Sequence, residues 1–315
     1  MRIVFVTHNK LGLACLEELA KLGANIKTVY TQPQREELSD QINFKSFTNE
    51  HGIPLHRVET VNDPKTVEEI KSYEPDLLFV VGWSRLVDTE VLAIPSVTAL
   101  GMHPAPLPRG RGRAPIAWSI IKGLDTTALS FFHLVEEADA GDIVGQEPIP
   151  IETEDDATTL YEKVIDAGRE LIRKYYPKFT AGEVPRTPQN KEAATWWPKR
   201  DPQQGLIDWT RPPEELYNWI RGLTRPYPGA FSYLEGQKIT IWSANPPSGD
   251  RSFVRPGEIA YCEGGALGVG AWEGIIELTE LEISDRGPMS PEALLSNTDF
   301  EVGDSFTNIR NRLNK

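Results

Sequence analysis

The chain is organised around one proline- and glycine-rich loop, Gly101-Met102-His103-Pro104-Ala105-Pro106-Leu107-Pro108-Arg109-Gly110-Arg111-Gly112-Arg113-Ala114-Pro115. The apolar run Val97 to Leu100 predicts a strand before it, and Ile116 to Lys122 predicts a helix after it. Because proline fixes the backbone φ angle and glycine permits positive φ, we expect a stiff, specially shaped loop. Its histidine and three arginines stand at a strand end, where α/β sheets place their chemistry. On composition alone, an exposed basic loop is the alternative.

The sequence on both sides of this loop alternates between strand-like and helix-like patterns. Short apolar runs predict strands at Arg2 to Thr7, Ile26 to Tyr30, Leu77 to Val81, Ala128 to His133 and Ile143 to Ile151. Amphipathic segments predict helices at Leu13 to Leu22, Phe44 to His51, Val61 to Ser72, Leu86 to Ala93 and Asp156 to Phe179, the third of them beginning near Asp63-Pro64. Strands that alternate with helices predict an α/β fold with a doubly wound parallel sheet.

A different pattern begins after residue 184. Four prolines between residues 185 and 204 predict an extended linker. A short helix is predicted next, at Pro213 to Arg221, and then strand-like runs at Ala230 to Leu234, Lys238 to Ala244, Gly257 to Tyr261, Leu267 to Gly270 and Ile275 to Leu281. Turn residues at short intervals predict a small antiparallel barrel. We therefore expect an α/β domain at 1–184, a linker at 185–204 and a barrel domain at 205–315.

The composition is that of a water-soluble globular protein. Of 315 residues, 39% are apolar and 25% are charged, and the longest apolar runs have the length of strands rather than of membrane-spanning helices. The amino terminus shows no signal-peptide pattern, and Cys15 and Cys262 lie far apart without metal-ligand spacing, which predicts a cytoplasmic protein without a metal. A net charge of −13 opposes binding to nucleic acids or to anionic membranes.

The usual nucleotide fingerprints are absent after the first predicted strand. Neither Gly-x-Gly-x-x-Gly nor a Gly-Lys-Ser/Thr ending occurs there, so we do not expect NAD or ATP to bind in the usual way. The site is still expected at the carboxyl ends of the strands, at His8 to Gly12, Gly82 to Arg85 and Gly101 to Arg113. A further polar segment, Val135 to Ile143, holds four acidic residues and a glycine, and taken alone it has the composition of a solvated turn.

Two of these segments carry a resemblance to a known family. His103 to Pro115 resembles the His-Pro-x-x-Leu-Pro-x-x-Arg-Gly-x-Ala-Pro-like loop of formyltransferases that use 10-formyltetrahydrofolate. Ala138 to Asp142 resembles the Ala-Asp-Ala-Gly-Asp turn of the same family. Pro198 to Trp209 and Arg221 to Phe231 resemble the beginning of the family's carboxyl-terminal module. The resemblance thus covers nearly the whole chain, and it implies a Rossmann-like domain followed by an OB-like barrel.

The resemblance implies a transferase that moves a formyl group from folate N10 to a primary amine. His103 and Asp139 stand at the positions of the family's paired catalytic residues. The resemblance implies that His103 handles the proton of the amine and stabilises the oxyanion, and that Asp139 tunes His103 and assists proton removal. The family's asparagine is expected two residues before the histidine, where this chain has Gly101. Gly101 has no side-chain amide, so the catalytic set departs from the family pattern.

This departure leaves three interpretations open. In the first, the transferase is active, and a water molecule, the backbone N–H near Gly101 or the side chain of Asn9 replaces the amide. In the second, the chain is a degenerate relative that binds its ligands without turnover. In the third, the site performs a related transfer or a hydrolysis. The question matters because a positioned oxyanion donor contributes roughly 10²–10³-fold to the rate of other enzymes.

Ligand contacts are carried over from the family to matching positions. The folate is expected to contact Arg85, Leu86 and Val87, and the segment Val135, Glu136, Glu137, Ala138 and Asp139. Trp83 is expected either to stack on an aromatic ring or to pack within the protein. Arg113 matches a position that contacts the sugar nucleotide in family members acting on an amino-pentose, and its planar fork suits phosphate. The other candidate substrate-binding residues are Arg111, His8 and Asn9.

The charge of the carboxyl-terminal module bears on the identity of the acceptor. From Asp201 to Lys315 there are 10 Lys and Arg residues against 17 Asp and Glu residues, a balance of −7. Because a tRNA-binding surface needs clustered basic residues, a nucleotide-linked amino sugar is the favoured acceptor and methionyl-tRNA is the alternative. The resemblance also implies a possible homodimer, formed through the carboxyl-terminal half.

Overall fold

A computed structural model describes residues 1–35, 41–249, 253–283 and 286–307. The chain divides into two compact units. The first comprises Met1–Pro115, Thr126–Pro150 and Tyr161–Pro198. The second comprises Ile116–Asp125, Ile151–Leu160 and the described residues from Lys199 onward. In the described part of the chain, no helix has both the length and the apolar character needed to cross a membrane.

The first unit is built on a mixed sheet that has seven strands among the described residues. These are β1 (Arg2–Val6), β2 (Asn25–Thr31), β3 (Leu55–Arg57), β4 (Leu77–Val81), β5 (Thr98–His103), β7 (Thr126–His133) and β8 (Ile143–Pro150). A further short strand, β6 (Arg111–Gly112), lies outside this sheet. The strand order is β3-β2-β1-β4-β5-β7-β8. The α/β class predicted from the alternating pattern is confirmed.

The prediction of a parallel sheet is correct for the first five strands and wrong for the last two. β7 runs antiparallel to β5, and β8 runs antiparallel to β7. Only nine residues connect β7 to β8, and a parallel crossover needs a dozen or more. The acidic turn predicted at Val135 to Ile143 is this connection.

Six helices accompany this part of the chain, within the described residues. They are α1 (Lys10–Lys21), α2 (Lys45–Glu50), α3 (Pro64–Ser72), α4 (Thr89–Leu92), α5 (Pro115–Ile121) and α6 (Ala157–Thr180). The predicted start of α3 is confirmed: the Asp63 side chain caps it, and proline occupies its first position. The helix predicted at Leu86 to Ala93 is only four residues long, and α1 starts three residues before its predicted beginning.

The core of the first unit contains a stack of aromatic rings from three strands. Phe5 of β1 stacks on Phe79 of β4 with ring centroids 5.6 Å apart, and Phe79 stacks on Phe131 of β7 at 6.0 Å. Phe179 of α6 closes this cluster at 5.9 Å from Phe131. Burial of such large side chains supplies most of the driving force for folding. The long helix therefore packs against the sheet at this cluster.

Strand β5 is longer than predicted, and this places two candidate residues within the sheet. Gly101 pairs with Val80 of β4 on one side and with Phe132 of β7 on the other. His103 still pairs with Ser130. Gly101 and His103 were expected in the loop after the strand. Pairing with both neighbouring strands at Gly101, and with β7 alone at His103, extends the strand through them instead.

The segment after α6 contains regular structure in its first part. Strand β9 (Trp196–Trp197) pairs in parallel with β6. Thr187 forms an isolated bridge with Ile143, and a short 3₁₀ turn covers Lys191–Ala193. The proline-rich segment up to Pro198 therefore packs within the first unit.

The second unit contains an antiparallel sheet, as the turn spacing predicts. Its described strands are β10 (Ala230–Leu234), β11 (Gln237–Ala244), β12 (Ile259–Glu263), β13 (Ala266–Ala271), β14 (Gly274–Ile283) and β15 (Gly287–Met289). They follow the order β10-β11-β14-β13-β12, and β15 pairs with β14. The helices α7 (Pro213–Leu223) and α8 (Pro291–Ser296) complete this unit. Closure of the sheet into an OB-like barrel stays a prediction.

Candidate active site

His103 lies at the carboxyl end of β5, with its side chain largely buried. Its Nε2 atom is 2.8 Å from the carbonyl oxygen of Gly110. Because a carbonyl oxygen only accepts hydrogen bonds, Nε2 carries a proton and donates it to Gly110. Nδ1 of the neutral ring therefore holds the lone pair, and it faces Oδ1 of Asp139 at 3.7 Å. The loop thus presents Nδ1 as the ring atom that can take up a proton.

Asp139 stands in the turn between β7 and β8 with a left-handed backbone, φ +56°. Such a φ is uncommon outside glycine, although aspartate tolerates it better than most residues. Oδ2 accepts a hydrogen bond from the backbone N–H of Gly112 at 2.9 Å, while Oδ1 faces His103. The structure therefore brings together the histidine and the aspartate that the resemblance pairs.

The loop geometry at Gly112 requires glycine. Its φ is +105°, and a Cβ atom at this position would lie 2.4 Å from the carbonyl oxygen of Trp197. A side chain would therefore both strain the backbone and push β6 away from β9. Because glycine fits here, the Gly112 N–H can point at the Asp139 carboxylate.

Gly101 lies two residues before His103, on the same face of β5. A Cβ atom at position 101 would lie 2.7 Å from Cδ2 of Leu134 and 3.3 Å from the carbonyl oxygen of Val80. Leu134 in turn packs against a buried apolar cluster formed by Leu107, Phe132 and Ile143. An apolar side chain thus occupies the space next to Gly101, and Leu134 would have to move to admit the asparagine that the resemblance implies.

His8 and Asn9 follow β1 at the carboxyl edge of the sheet, and both are buried. Oδ1 of Asn9 accepts the N–H of Gly12 at 3.1 Å and so caps α1. The same side chain covers Gly82, where an added Cβ would lie 2.0 Å from Asn9 Oδ1. The ring of His8 is 6.1 Å from that of Trp83. Both residues therefore lie at the predicted strand end, and Asn9 also has a structural role.

The two candidate arginines of the loop have different surroundings. Arg111 is only 3% exposed, and its guanidinium donates to Glu137 Oε1 at 3.1 Å and to Gln189 Oε1 at 2.8 Å. Arg113 is exposed and donates to the carbonyl oxygen of Ser84 at 3.3 Å. A phosphate would have to displace protein partners from Arg111, whereas Arg113 keeps most of its donors available.

The segments expected to contact folate occupy two loops. In the first, Asn62 donates from Nδ2 to the carbonyl oxygen of Leu86 at 3.1 Å, and Arg85 pairs with Glu59 at 3.6 Å. Val87 packs against the core, while Leu86 is 70% exposed. This tethering explains why the helix predicted to start at Leu86 begins only after the loop.

The second loop is the turn after β7. Val135 is 45% exposed, Glu136 and Glu137 are exposed, and Ala138 is half-buried. Among the described residues, no group of three or more His, Cys, Asp or Glu side chains is arranged to hold a metal ion. The acidic turn is not simply solvated, because Glu137 accepts a hydrogen bond from Arg111 and Asp139 accepts one from the N–H of Gly112.

Sequence reasoning missed the residues of the proline-rich segment that contact this loop. Nε2 of Gln189 donates to the carbonyl oxygens of Asp139 and Gly141, at 2.8 and 2.7 Å. Oγ1 of Thr195 accepts the N–H of Gly110 at 2.9 Å. The adjacent tryptophans of β9 were the available signal, because large aromatic residues usually pack against other groups: Trp197 is half-buried and lies against Gly110, although Trp196 is 52% exposed.

Two family models match the chain. A model described as formyl transferase matches residues 1–175, and one described as formyl transferase, C-terminal domain, matches residues 199–298. The first alone covers more than half of the 315 residues. The chain belongs to the formyl transferase family. The resemblance stated from its two motifs is therefore confirmed.

Solved structures of other proteins share the fold of this one. HypX from Aquifex aeolicus, in complex with tetrahydrofolic acid, has a TM-score of 0.67 at 21% identity and covers 98% of this chain. This formyl transferase spans about half of that protein, 50% of its chain. The N-formyltransferase from Helicobacter canadensis, in complex with folinic acid and dTDP-3-aminofucose, has a TM-score of 0.67 at 14% identity, with 89% and 99% coverage of the two chains. Methionyl-tRNA formyltransferase from Clostridium thermocellum has a TM-score of 0.57 at 20% identity, with 79% and 95% coverage.

Proposed function

We propose that this formyl transferase moves the formyl group of 10-formyltetrahydrofolate to the primary amine of a nucleotide-linked amino sugar. The observation that carries the proposal is the geometry of His103. Its Nε2–H donates a hydrogen bond to the carbonyl oxygen of Gly110, and its Nδ1 faces the carboxylate of Asp139. This arrangement prepares one nitrogen to receive a proton beside a negative charge, as general-base catalysis requires.

His103 and Asp139 act together in the proposed reaction. When bound, 10-formyltetrahydrofolate supplies the formyl group. His103 Nδ1 takes the proton that the acceptor amine loses as its nitrogen bonds to the formyl carbon. The imidazolium keeps its Nε2 hydrogen bond to Gly110, and the Asp139 carboxylate stabilises its charge. His103 then returns the proton to the leaving nitrogen as the bond from that nitrogen to the formyl carbon breaks.

The donor for the formyl oxygen is not a side chain at position 101, because residue 101 is glycine and Leu134 lies next to it. The protonated His103 provides an N–H donor on Nδ1 during the reaction. We propose that this donor, together with a backbone N–H or a water molecule, replaces the family's amide. The same observation favours a second candidate function, a formyl transferase that binds its ligands without turnover.

The proposed folate site fits the residues at the two strand-end loops. Leu86 and Val135 expose apolar side chains there, next to backbone polar groups of the same loops. An exposed apolar surface with a few oriented polar groups suits a flat heterocycle. These residues would bind and orient the folate, so that its formyl group is placed near His103.

The proposed acceptor follows from charge. Arg113 is exposed in the catalytic loop, as is Arg109, and the carboxyl-terminal module carries a balance of −7 from Asp201 to Lys315. An accessible arginine suits a diphosphate, whereas an acidic module opposes a polyanion. The Helicobacter relative with dTDP-3-aminofucose supports this choice, and the Clostridium relative keeps methionyl-tRNA as the alternative. A cytoplasmic location and a homodimer formed through the carboxyl-terminal half belong to the same proposal.

A mass-spectrometric transfer assay tests the proposed function. The protein is mixed with 10-formyltetrahydrofolate, UDP-, dTDP- and GDP-linked amino sugars, and methionyl-tRNA, and each acceptor is examined for the gain of one formyl group. Formylation of an amino sugar supports the proposal, and formylation of tRNA alone refutes the argument from charge. Folate binding with no product from any acceptor supports the interpretation without turnover.

The two paired residues give the first mutational prediction. His103→Asn and Asp139→Asn are each expected to reduce kcat by roughly 10²–10⁴-fold, because the first removes the group that transfers the proton, the second removes the negative charge beside it, and neither adds side-chain volume. The matched controls are His51→Asn and Asp166→Asn, which change exposed residues outside the site. Full activity of the His103 variant would contradict the mechanism.

A further inference from the structure

Residues 187–197 cross the catalytic loop and the acidic turn, and we call them the strap. At one end, Thr187 bridges Ile143 just after the turn. At the other end, the carbonyl oxygen of Thr195 accepts the N–H of Arg111 at 3.0 Å, and β9 pairs with β6. The strap therefore contacts both segments that carry the paired residues His103 and Asp139.

Gln189 makes the central contacts of the strap. Its Nε2 donates to the carbonyl oxygens of Asp139 and Gly141, at 2.8 and 2.7 Å. Its Oε1 accepts from Arg111, at 3.2 Å from Nε and 2.8 Å from Nη2. One side-chain amide thus joins the catalytic loop to the backbone of the turn that holds Asp139.

Arg111 fixes the orientation of that amide. Arginine can only donate hydrogen bonds, so the oxygen of Gln189 must face it and the nitrogen must face the turn. The third Arg111 contact, from Nη1 to Glu137 Oε1 at 3.1 Å, holds the same turn from its other side. Each hydrogen bond of this network therefore has a fixed donor and a fixed acceptor, and Arg111 is buried at its centre.

We propose that Gln189 is a positioning residue that keeps the Asp139 carboxylate directed at His103. The inference rests on the proposed function, because it assigns Asp139 a part in proton transfer. Asp139 adopts φ +56°, a conformation that persists only when its surroundings hold it. The two hydrogen bonds from Gln189 hold the carbonyl oxygens of Asp139 and Gly141, and so fix the backbone that directly follows the φ and ψ bonds of Asp139. Without them the turn relaxes, and the carboxylate leaves both Gly112 and His103.

Gln189→Glu tests this role with a nearly isosteric side chain. The glutamate keeps an acceptor for Arg111, but it presents an acceptor instead of a donor to the two carbonyl oxygens. The matched control is Asn190→Asp, the same chemical change at the next residue, whose Oδ1 accepts the N–H of Glu192 and does not contact the turn. Both variants are measured with the acceptor that the transfer assay identifies.

We expect Gln189→Glu to lower kcat by about 10- to 100-fold with little change in KM, since a displacement of about 1 Å costs on the order of 10²-fold. Asn190→Asp should retain wild-type kcat. In an Asp139→Asn background, Gln189→Glu should cause no further loss, because the residue it positions is already inactive. Full kcat of the Gln189 variant, or an equal additional loss in the double variant, overturns the proposal.

A second measurement does not depend on activity. Hydrogen exchange of the Gly112 amide, followed by NMR, reports whether Asp139 Oδ2 still accepts its hydrogen bond. Gln189→Glu is expected to remove the protection of this amide, and Asn190→Asp is expected to keep it. If the wild type transfers no formyl group, the proposed function fails while this measurement still decides the positioning role. Unchanged protection in the Gln189 variant overturns it.

Discussion

Gly101 and Leu134 share one space on the face of β5. The absence of a side chain at position 101 allows Leu134 to reach the strand backbone, 2.7 Å from where a Cβ would stand. A polar amide there would compete with an apolar cluster for the same volume. Adding a side chain at position 101 would therefore require Leu134 or the strand to move.

This coupling predicts the behaviour of Gly101→Asn. The variant is expected to lose about 1–3 kcal/mol of unfolding free energy, because overpacking forces the Leu134 side chain or the strand to move. Adding Leu134→Ala makes room, so the double variant should be more stable than the sum of the two single losses indicates. Urea denaturation of all four proteins measures the coupling. Additive losses would show that the two positions are independent.

At the scale of single elements, α1 shows how one residue can serve both a helix and a site. Asn9 was singled out from the sequence as a candidate substrate-binding residue, and the structure shows it as the cap of α1. A side-chain oxygen at this position satisfies one of the free N–H groups of the first turn. A loss of activity on replacing Asn9 would therefore mix a stability effect with a binding effect.

Two substitutions separate these effects. Asn9→Ala removes the cap and is expected to cost about 1 kcal/mol of unfolding free energy. Asn9→Asp keeps an oxygen acceptor for the Gly12 N–H and adds a negative charge at the helix amino terminus, so it should retain stability. Chemical denaturation checks both. If Asn9→Asp is stable but has a raised KM for the acceptor, its amide nitrogen takes part in binding; equal stability of Asn9→Ala and the wild type would refute the capping role.

The helices and strands that were predicted correctly from the sequence are those with a strong local pattern of apolar residues. β1 and β4 are uninterrupted apolar runs, and α6 carries a continuous apolar stripe, so their patterns identified them. The start of α1 was missed because Gly12 weakens the helical pattern, although it is required there: a Cβ would lie 1.8 Å from Thr7 Oγ1. The end of β5 was missed because pairing with two neighbouring strands, a non-local effect, extends it.

Of the candidate site, the residues that belong to a local sequence motif could be identified from the sequence, and the contacts between distant segments could not. His103 and Asp139 were identified from two motifs, and the structure places them 3.7 Å apart. The contacts of Gln189 had no local signal, because it lies 50 residues from Asp139 in the chain. The burial of Arg111 was not foreseen either, since an arginine between two glycines has the pattern of an exposed residue.

At the scale of the whole molecule, one buried histidine links stability to pH. His133 lies in the first unit, where its Nε2 is 2.9 Å from the carbonyl oxygen of Pro185 and its Nδ1 is 2.7 Å from Thr98 Oγ1. Nε2 therefore donates, and Nδ1 accepts from the threonine hydroxyl, which fixes the neutral ring. Burial lowers the pKa of His133 below its ordinary value.

The lowered pKa sets the sign of the pH effect. The unfolded chain takes up a proton on this histidine near pH 6.5, whereas the folded protein takes it up only at lower pH. Unfolding free energy should therefore fall as pH decreases from about 6.5, by at most about 1.4 kcal/mol per pH unit. Thermal unfolding of the wild type and of His133→Gln between about pH 7 and 5 checks this, a range in which most carboxylates stay ionised. The variant should show the shallower slope; equal slopes would contradict the assignment.

The pairing of β6 with β9 limits how this chain can be recombined with others of its family. A chimera that cuts at residue 184 and attaches a foreign carboxyl-terminal module would discard Gln189 and the two tryptophans against which the Gly112 turn is shaped. A junction after Pro198 retains them. Exchange of carboxyl-terminal modules to alter the choice of acceptor is therefore expected to yield active hybrids only when the junction lies after Pro198. The segment before Pro198 has the composition of a linker, but it is part of the first unit.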